Sequence, residues 1–293
     1  MQEHEADEQA EIEELATLVA VDKIDKDTLR AVKEGRLKIG HEDIKFLVNA
    51  YWDCQQQRKR YQNRDRTVGN QDFVDWMLKQ SARLEAQLLA ALKVWTKVDT
   101  VSVWATSNTG VGPVTAAVLR GYVDFQSVLA NGRRLETASQ VWAFCGLRPG
   151  QKKQKGVKQP WCATLKRAMH NLGEVFKRNH NRSSCFYGKV YEQRKASEVA
   201  KNLSKDFESQ ALSIAAEWKK GKKTTSVSYK EYYTKGFLPP AHIDKRACRY
   251  AVKLFLAHWF EVGYREERGE DPPDPYPMAR LDHAHKIEVP VSV

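Results

Sequence analysis

Apolar residues recur at intervals of three and four along most of the chain, which places them on one face of an α-helix. Residues 42–61 show this pattern, and residues 71–97 repeat it over a longer stretch. Gly69 and Asn70 separate the two stretches and predict a turn. Residues 41–100 are therefore predicted to form a long helical hairpin, a candidate dimerisation element.

The rest of the chain continues in the same style and predicts a mainly α fold. Helices are predicted over residues 137–146, 161–178, 183–203, 207–218 and 243–268, and a brief strand over 224–229. We divide the chain into an acidic, partly disordered segment (1–40), the helical hairpin (41–100), a helix-hairpin-helix domain (101–200), and a C-terminal helical extension with a Pro-rich tail (201–293). No apolar run approaches the roughly 20 residues that span a bilayer.

Two glycines around one apolar residue mark the most distinctive turn. Gly110 and Gly112 lack the Cβ atom that hinders a tight bend, and Pro113 suits the first turn of a following helix. The segment predicts the turn of a helix-hairpin-helix, in which the amides of Gly110, Gly112 and Val114 contact backbone phosphate. The alternative is an ordinary connection between two helices.

Positive charge is concentrated in one part of the chain. The formal net charge is +11, although residues 1–14 contain seven acidic residues and no Lys or Arg. Residues 151–201 contain thirteen Lys or Arg against three Glu. Such a block attracts polyanions by counterion release, the alternative being a merely solvated basic face. The candidate nucleic-acid-binding side chains are Lys152, Lys153, Lys155, Lys158, Lys166 and Arg167.

Other chemistry-bearing residues give weaker patterns. The five cysteines have no paired spacing, which favours reduced thiols over a disulfide framework or a zinc site. His283 and His285 alternate as metal ligands can, with His242 and His258 as further candidates, but a surface pair is favoured and no metal site is assigned. Six aromatic residues among basic ones suggest either base stacking or core packing: Trp161, Phe186, Tyr187, Tyr191, Tyr232 and Tyr233.

Residues 110–196 resemble the C-terminal domain of the insertion-sequence 110-type transposases, a family that includes the Piv DNA invertases. The resemblance rests on three motifs in the family's order, which are Gly-Val-Gly-Pro-Val-Thr-Ala-Ala from Gly110, Ser-Gln-Val-Trp-Ala-Phe-Cys-Gly-Leu-Arg-Pro from Ser139, and Phe-Tyr-Gly-Lys-Val-Tyr from Phe186. It implies a domain that holds DNA and, in guide-using relatives, a bridging RNA.

The resemblance also implies a catalytic requirement that this sequence does not visibly meet. Family catalysis uses a serine in the loop after the second motif and acidic metal ligands from an N-terminal nuclease-like domain. The corresponding loop, residues 151–158, contains no serine. The nearest hydroxyls belong to Thr164, Ser183 and Ser184, of which Ser183 and Ser184 are the weak nucleophile candidates. The segment around Asp22 resembles the first strand of the family's nuclease-like domain, where an aspartate is the first metal ligand, but a helix start is favoured at this position.

The sequence thus favours a DNA-binding protein related to transposases, acting in transposition or recombination without complete catalytic machinery. One alternative is an active Mg²⁺-dependent transposase with a serine nucleophile, and another is a non-catalytic oligomeric scaffold. The expected partners are DNA, or a structured RNA, and further copies of the chain, without a membrane. The acidic start lacks the basic region of a secretory signal, so we expect a cytoplasmic, nucleoid-associated protein.

Overall fold

The computed structural model describes residues 30–31, 33–34, 39–69, 72–126, 134–219, 227–273 and 287–290, and the statements below concern this part of the chain. It confirms the mainly α prediction. The helices are α1 (His41–Val68), α2 (Asp72–Trp95), α3 (Thr100–Ser107), α4 (Pro113–Tyr122), α5 (Ala138–Phe144), α6 (Ala163–Arg178), α7 (Phe186–Leu203), α8 (Glu208–Lys219), α9 (Val227–Thr234) and α10 (Pro240–Arg268).

One secondary-structure prediction is wrong. A brief strand was expected over residues 224–229, but residues 227–229 form the first turn of α9, which begins at Val227. Residues 224–226 lie outside the described part of the chain. β-Branched and aromatic residues favour a strand only when neighbouring strands can pair with it, and the described elements around α9 are helices.

The chain divides into two compact units, residues 1–98 and 99–293. In the first unit, α1 packs along α2 after the chain turns at Gly69, which has the positive φ of 85° that favours glycine. Arg58 on α1 pairs with Glu85 on α2 at 2.5 Å, and Gln55 also donates a hydrogen bond to the same carboxylate. Several large apolar side chains remain exposed on this hairpin: Phe46, Phe73, Trp76 and Leu84.

The second unit is organised around α10. This helix belongs to the segment that the sequence assigned to a C-terminal extension, and it packs against α3, α5, α6 and α7. Its buried residues Phe255 and Trp259 meet Phe176 of α6 and Phe125 after α4. Gly263 lets α10 approach the Phe125 ring, because a Cβ atom there would lie 2.2 Å from its Cζ. A smaller apolar cluster joins α8, α9 and the start of α10.

A buried carboxylate also ties α10 to α6 and α7. Asp244 accepts hydrogen bonds at 2.5 Å from Lys177 and from the Tyr191 hydroxyl, and Lys195 pairs with it at 3.1 Å. Its charge is thereby satisfied although the residue is only 7% exposed. None of the described helices combines the length and apolarity needed to cross a bilayer.

Candidate nucleic-acid interface

The glycine turn lies between α3 and α4, as the sequence predicted for a helical hairpin. Gly110 has φ of 100°, and a Cβ atom there would lie 3.0 Å from Val175 of α6, so both conformation and space require glycine. Val111 is buried and anchors the turn, whereas Gly112 is partly exposed with open space around its α-carbon. One side of the glycine turn therefore packs against the protein, and the other side faces solvent.

The start of α4 leaves backbone donors available. Gly112 is the N-cap with φ of −91° and ψ of 168°, Pro113 occupies the first turn, and no described side chain caps the helix. The first backbone bond of α4 runs from the Ala116 N–H to the Gly112 carbonyl. The N–H of Val114 precedes this bond and has no acceptor within the helix, as is general for first-turn donors. Such donors favour an anion.

The structure brings the two weak serine candidates to this corner. Ser183 and Ser184 are exposed in the turn before α7, and the Ser184 hydroxyl lies 3.3 Å from the Thr109 hydroxyl. The next residue, Cys185, donates its thiol to the Thr109 carbonyl at 3.4 Å. Thr164, the third hydroxyl candidate, lies at the other end of α6, in its first turn.

The predicted basic loop is confirmed as an exposed connection from α5 to α6. Helix α5 ends at Phe144, and Gly146 follows in a left-handed conformation with φ of 67°. The loop then returns so that the Cys162 N–H donates to the Phe144 carbonyl at 2.9 Å. Inside the loop, the Gln151 side chain donates to the Pro160 carbonyl at 2.9 Å. These bonds close the base of the loop and leave its basic tip in solvent.

The predicted basic side chains differ in their surroundings. Four lysines are exposed in the loop, and none of the ion pairs among the described residues includes them: Lys152, Lys153, Lys155 and Lys158. Lys166 is also exposed, but its ammonium lies 3.8 Å from the centroid of the Trp161 ring, a cation–π contact. Arg167 points to the exposed face of α6.

Helix α6 connects the basic loop with the glycine turn. The loop enters α6 at Ala163, and Gly110 contacts α6 at Val175, about 18 Å further along the axis. Arg167 and Arg178 are both exposed and lie eleven positions apart, which is about three turns, so they share one face. Apart from Lys166, whose ammonium contacts the Trp161 ring, we call the exposed basic residues along this path the basic ridge. They are Lys152, Lys153, Lys155, Lys158, Arg167, Arg178 and Arg182.

The ridge includes residues that the sequence did not single out. Arg178 and Arg182 become candidates only because α6 and the following turn direct them to solvent near Ser183. The exposure of Arg178 could have been inferred from the α6 pattern, because Arg178 falls opposite the buried residues Leu165, Leu172 and Phe176. Thr109 offered no sequence signal, because its role depends on contacts with residues 75 and 76 positions away.

Base stacking is contradicted for half of the suggested aromatic residues. Tyr187, Tyr191 and Tyr233 are 1%, 2% and 8% exposed, so these three rings belong to the core. Burial raises the pKa of the Tyr187 hydroxyl, which contacts Nδ1 of the buried His258 at 2.9 Å. Only Phe186 and Tyr232 expose much of their rings, and Trp161 is partly covered.

The metal candidates divide between described and undescribed residues. His283, His285 and Asp22 lie outside the described part of the chain. His242 contacts the Tyr233 hydroxyl at 3.1 Å, and His258 contacts Tyr187 and the Ile287 carbonyl. Among the described residues, no group of three or more His, Cys, Asp or Glu side chains is arranged to hold a metal ion.

Comparison of the chain with protein-family models, curated proteins and solved structures finds no match. The basic ridge and the glycine turn are therefore the features of the chain that bear on its function.

Proposed function

We propose that this protein binds nucleic acid, with DNA as the first candidate, and acts in transposition or recombination as a relative of the insertion-sequence 110-type transposases. The observation that carries the proposal is the exposed lysine loop, whose four lysines form no ion pair within the described structure. Cations held apart from carboxylates keep their full attraction for phosphate, and their binding releases counterions.

The glycine turn supports the same proposal at the other end of α6. The first-turn amides of α4 suit one backbone phosphate, Arg178 and Arg182 add positive charge at this end of α6, and Arg167 adds charge between the turn and the lysine loop. The two ends lie about 18 Å apart along α6, a distance that several consecutive phosphates of one strand span, so a single strand is long enough to contact both. Because these contacts address the sugar-phosphate backbone, we expect weak sequence preference.

The direct test is a charge reversal in the loop. Lys152→Glu, Lys153→Glu and Lys155→Glu together should weaken binding to duplex DNA by at least 100-fold at low salt and flatten the salt dependence by about three units of slope. The matched control places the same charge change on exposed residues of α1 as Lys59→Glu, Arg60→Glu and Arg64→Glu. Equal binding by the loop variant and the wild type in an anisotropy titration would refute the proposal.

A second candidate is an active Mg²⁺-dependent transposase, which the position of Ser184 favours. Its exposed hydroxyl lies beside the glycine turn, where the proposed phosphate would sit. The sequence provides no serine in the basic loop, so Ser184, with Ser183, is the available hydroxyl. The full chain would then form a covalent adduct with DNA in the presence of Mg²⁺, detected by denaturing electrophoresis.

The adduct assay separates this second candidate from simple binding. Ser184→Ala should abolish the adduct while DNA affinity changes less than threefold, and Ser197→Ala, an exposed serine in the middle of α7, should leave the adduct unchanged. Absence of an adduct from the wild-type chain would leave the protein as a binding protein without strand-transfer activity.

A further inference from the structure

Two cysteines meet at the base of the basic loop. Cys145 follows the last residue of α5, and Cys162 precedes the first residue of α6. The Cys162 N–H donates to the Phe144 carbonyl at 2.9 Å. Because that carbonyl belongs to the peptide bond of Cys145, covalent geometry keeps the two α-carbons within about 7 Å. This limit includes the separations of 4.4–6.8 Å that disulfides usually span.

The two thiols differ in access. Cys145 is fully buried, whereas Cys162 is partly exposed. Burial raises the pKa of the Cys145 thiol, and negative charge on Cys162 raises it further, which agrees with their proximity. Both are free thiols in the structure.

We propose that Cys145 and Cys162 form a reversible disulfide that links the two ends of the basic loop, with low-molecular-weight disulfides as the oxidant. The Cys162 thiolate attacks one sulfur of the oxidant and releases the first thiol. The Cys145 thiolate then attacks the sulfur of Cys162 in the mixed disulfide and releases the second thiol. One dithiol and one disulfide thus become one protein disulfide and two small thiols.

Exposure and acidity determine the order of these steps. Cys162 reacts first because it is the accessible thiol, and Cys145 resolves slowly because its raised pKa keeps little thiolate at neutral pH. A mixed disulfide on Cys162 should therefore appear before the intramolecular bond, and the second step should accelerate as pH rises from 7 to 9.

The disulfide would hold together the two ends of the loop, which now meet through the Cys162–Phe144 backbone hydrogen bond and the bond from Gln151 to the Pro160 carbonyl. It would close the loop that carries Lys152, Lys153, Lys155 and Lys158, and so restrict the positions that these lysines reach. An effect on nucleic-acid affinity rests on the proposed function, but the disulfide itself does not.

The experiment uses the full chain with glutathione disulfide, quenched at intervals with an alkylating reagent and analysed by peptide mass mapping. We expect a glutathione adduct on Cys162, then a cross-linked peptide joining Cys145 and Cys162, with both reversed by dithiothreitol. Cys162→Ser places a favourable N-cap residue at the start of α6 and should abolish both the glutathione adduct and the cross-linked peptide. Cys248→Ser is the control, because it removes a different buried cysteine and should leave both unchanged.

The proposal would be overturned if the folded wild type formed no cross-link between Cys145 and Cys162. It would also be overturned if Cys162→Ser formed as much intramolecular disulfide as the wild type, since that bond would have to involve another cysteine. DNA affinity of the oxidised and reduced chains is measured separately. A chain that forms the cross-link but binds no nucleic acid would contradict the proposed function and leave the disulfide pair established.

Discussion

The hydroxyl of Ser184 lies 3.3 Å from the hydroxyl of Thr109, which joins the turn before α7 to the glycine turn before α4. The Cys185 thiol reinforces this junction by donating to the Thr109 carbonyl. On its other side the turn meets Val175 and Phe176 of α6 through Gly110. The turn before α7 and helix α6 therefore fix the glycine turn from two sides, while Gly112 remains partly exposed with open space around it.

The two glycines of the corner should respond differently to alanine. Gly110→Ala forces a side chain into a positive φ of 100° and against Val175, so it should lower the free energy of unfolding by about 1–3 kcal/mol. Gly112→Ala adds a methyl group in open space at an ordinary φ, and should change stability by less than about 1 kcal/mol. Urea unfolding measures both.

Gly112→Ala also tests the proposed phosphate contact without disturbing the fold. A methyl group beside the α4 amides hinders a phosphate that approaches the backbone, so we expect DNA affinity to fall several-fold. A glycine-to-alanine control at Gly150 is unsuitable, because the positive φ of Gly150 would strain alanine. Ala163→Gly, at the exposed start of α6, serves as the control instead. Unchanged affinity in Gly112→Ala would exclude the turn from the interface.

Removing the charge of Asp244 should reveal a pH-dependent contribution to stability. Burial opposes the charged form, but hydrogen bonds from Lys177, Tyr191 and Lys195 outweigh it and lower the pKa from 3.8 to about 2. A depressed pKa stabilises the fold above about pH 4, and this contribution is lost as pH falls towards 2. Asp244→Asn should cost on the order of 2 kcal/mol at pH 7.

The difference in the free energy of unfolding between the wild type and Asp244→Asn should become smaller as pH falls from 5 towards 2. Urea unfolding at each pH measures this difference. Glu231→Gln is the control, because its ion pair with Lys235 lies on the exposed surface of α9 and should contribute little at any pH. A difference independent of pH would mean that Asp244 acts through packing rather than charge.

The close approach of α10 to the segment after α4 depends on Gly263. Gly263→Ala places a methyl group against the Phe125 ring, which also contacts Trp259 and Phe260, so the ring has little room to move. We expect a loss of about 1–3 kcal/mol in the free energy of unfolding. Adding Phe125→Leu should recover part of this loss, and non-additivity of the two substitutions in thermal unfolding would measure the contact.

The exposed aromatic pair on α2 allows a test of the predicted oligomer. Phe73 and Trp76 are 69% and 47% exposed and stack on each other with ring centroids 5.7 Å apart. If the hairpin mediates assembly, Phe73→Ser with Trp76→Ser should shift the mass measured by light scattering towards that of one chain. Tyr229→Ser with Tyr232→Ser, on exposed positions of α9, is the control. An unchanged mass in the Phe73 and Trp76 variant would contradict assembly through this surface.

Much of the architecture follows from local sequence. The break at Gly69, helix α2, the short α5 with Gly146 after it, and the long α10 were predicted within a few residues of their bounds, whereas α1 continues to Val68, beyond the pattern of residues 42–61. Each depends on periodicity and on Gly or Pro at a helix end, which act over one or two turns. The predicted strand near Val227 failed because strand formation depends on partners elsewhere in the chain.

The candidate site was predicted only in part. The exposure of the lysine loop follows from its polar, Gly- and Gln-containing sequence, and the turn at Gly110 follows from its glycines. Burial of Tyr187 and Tyr191 did not follow, since aromatic residues among lysines occur both in cores and on surfaces. The proximity of Cys145 to Cys162 did not follow from the sequence either, because no spacing rule applies to a loop of that length.

Neighbouring residues are enough to specify most helices, their ends, and the concentration of positive charge, so these properties could be predicted from the chain alone. Packing of the helices brings Ser184 against Thr109, joins the glycine turn to the lysine loop through α6, and surrounds Asp244 with lysines. Those relationships join residues tens of positions apart, and they arise when α10 buries its apolar face against α3, α5, α6 and α7.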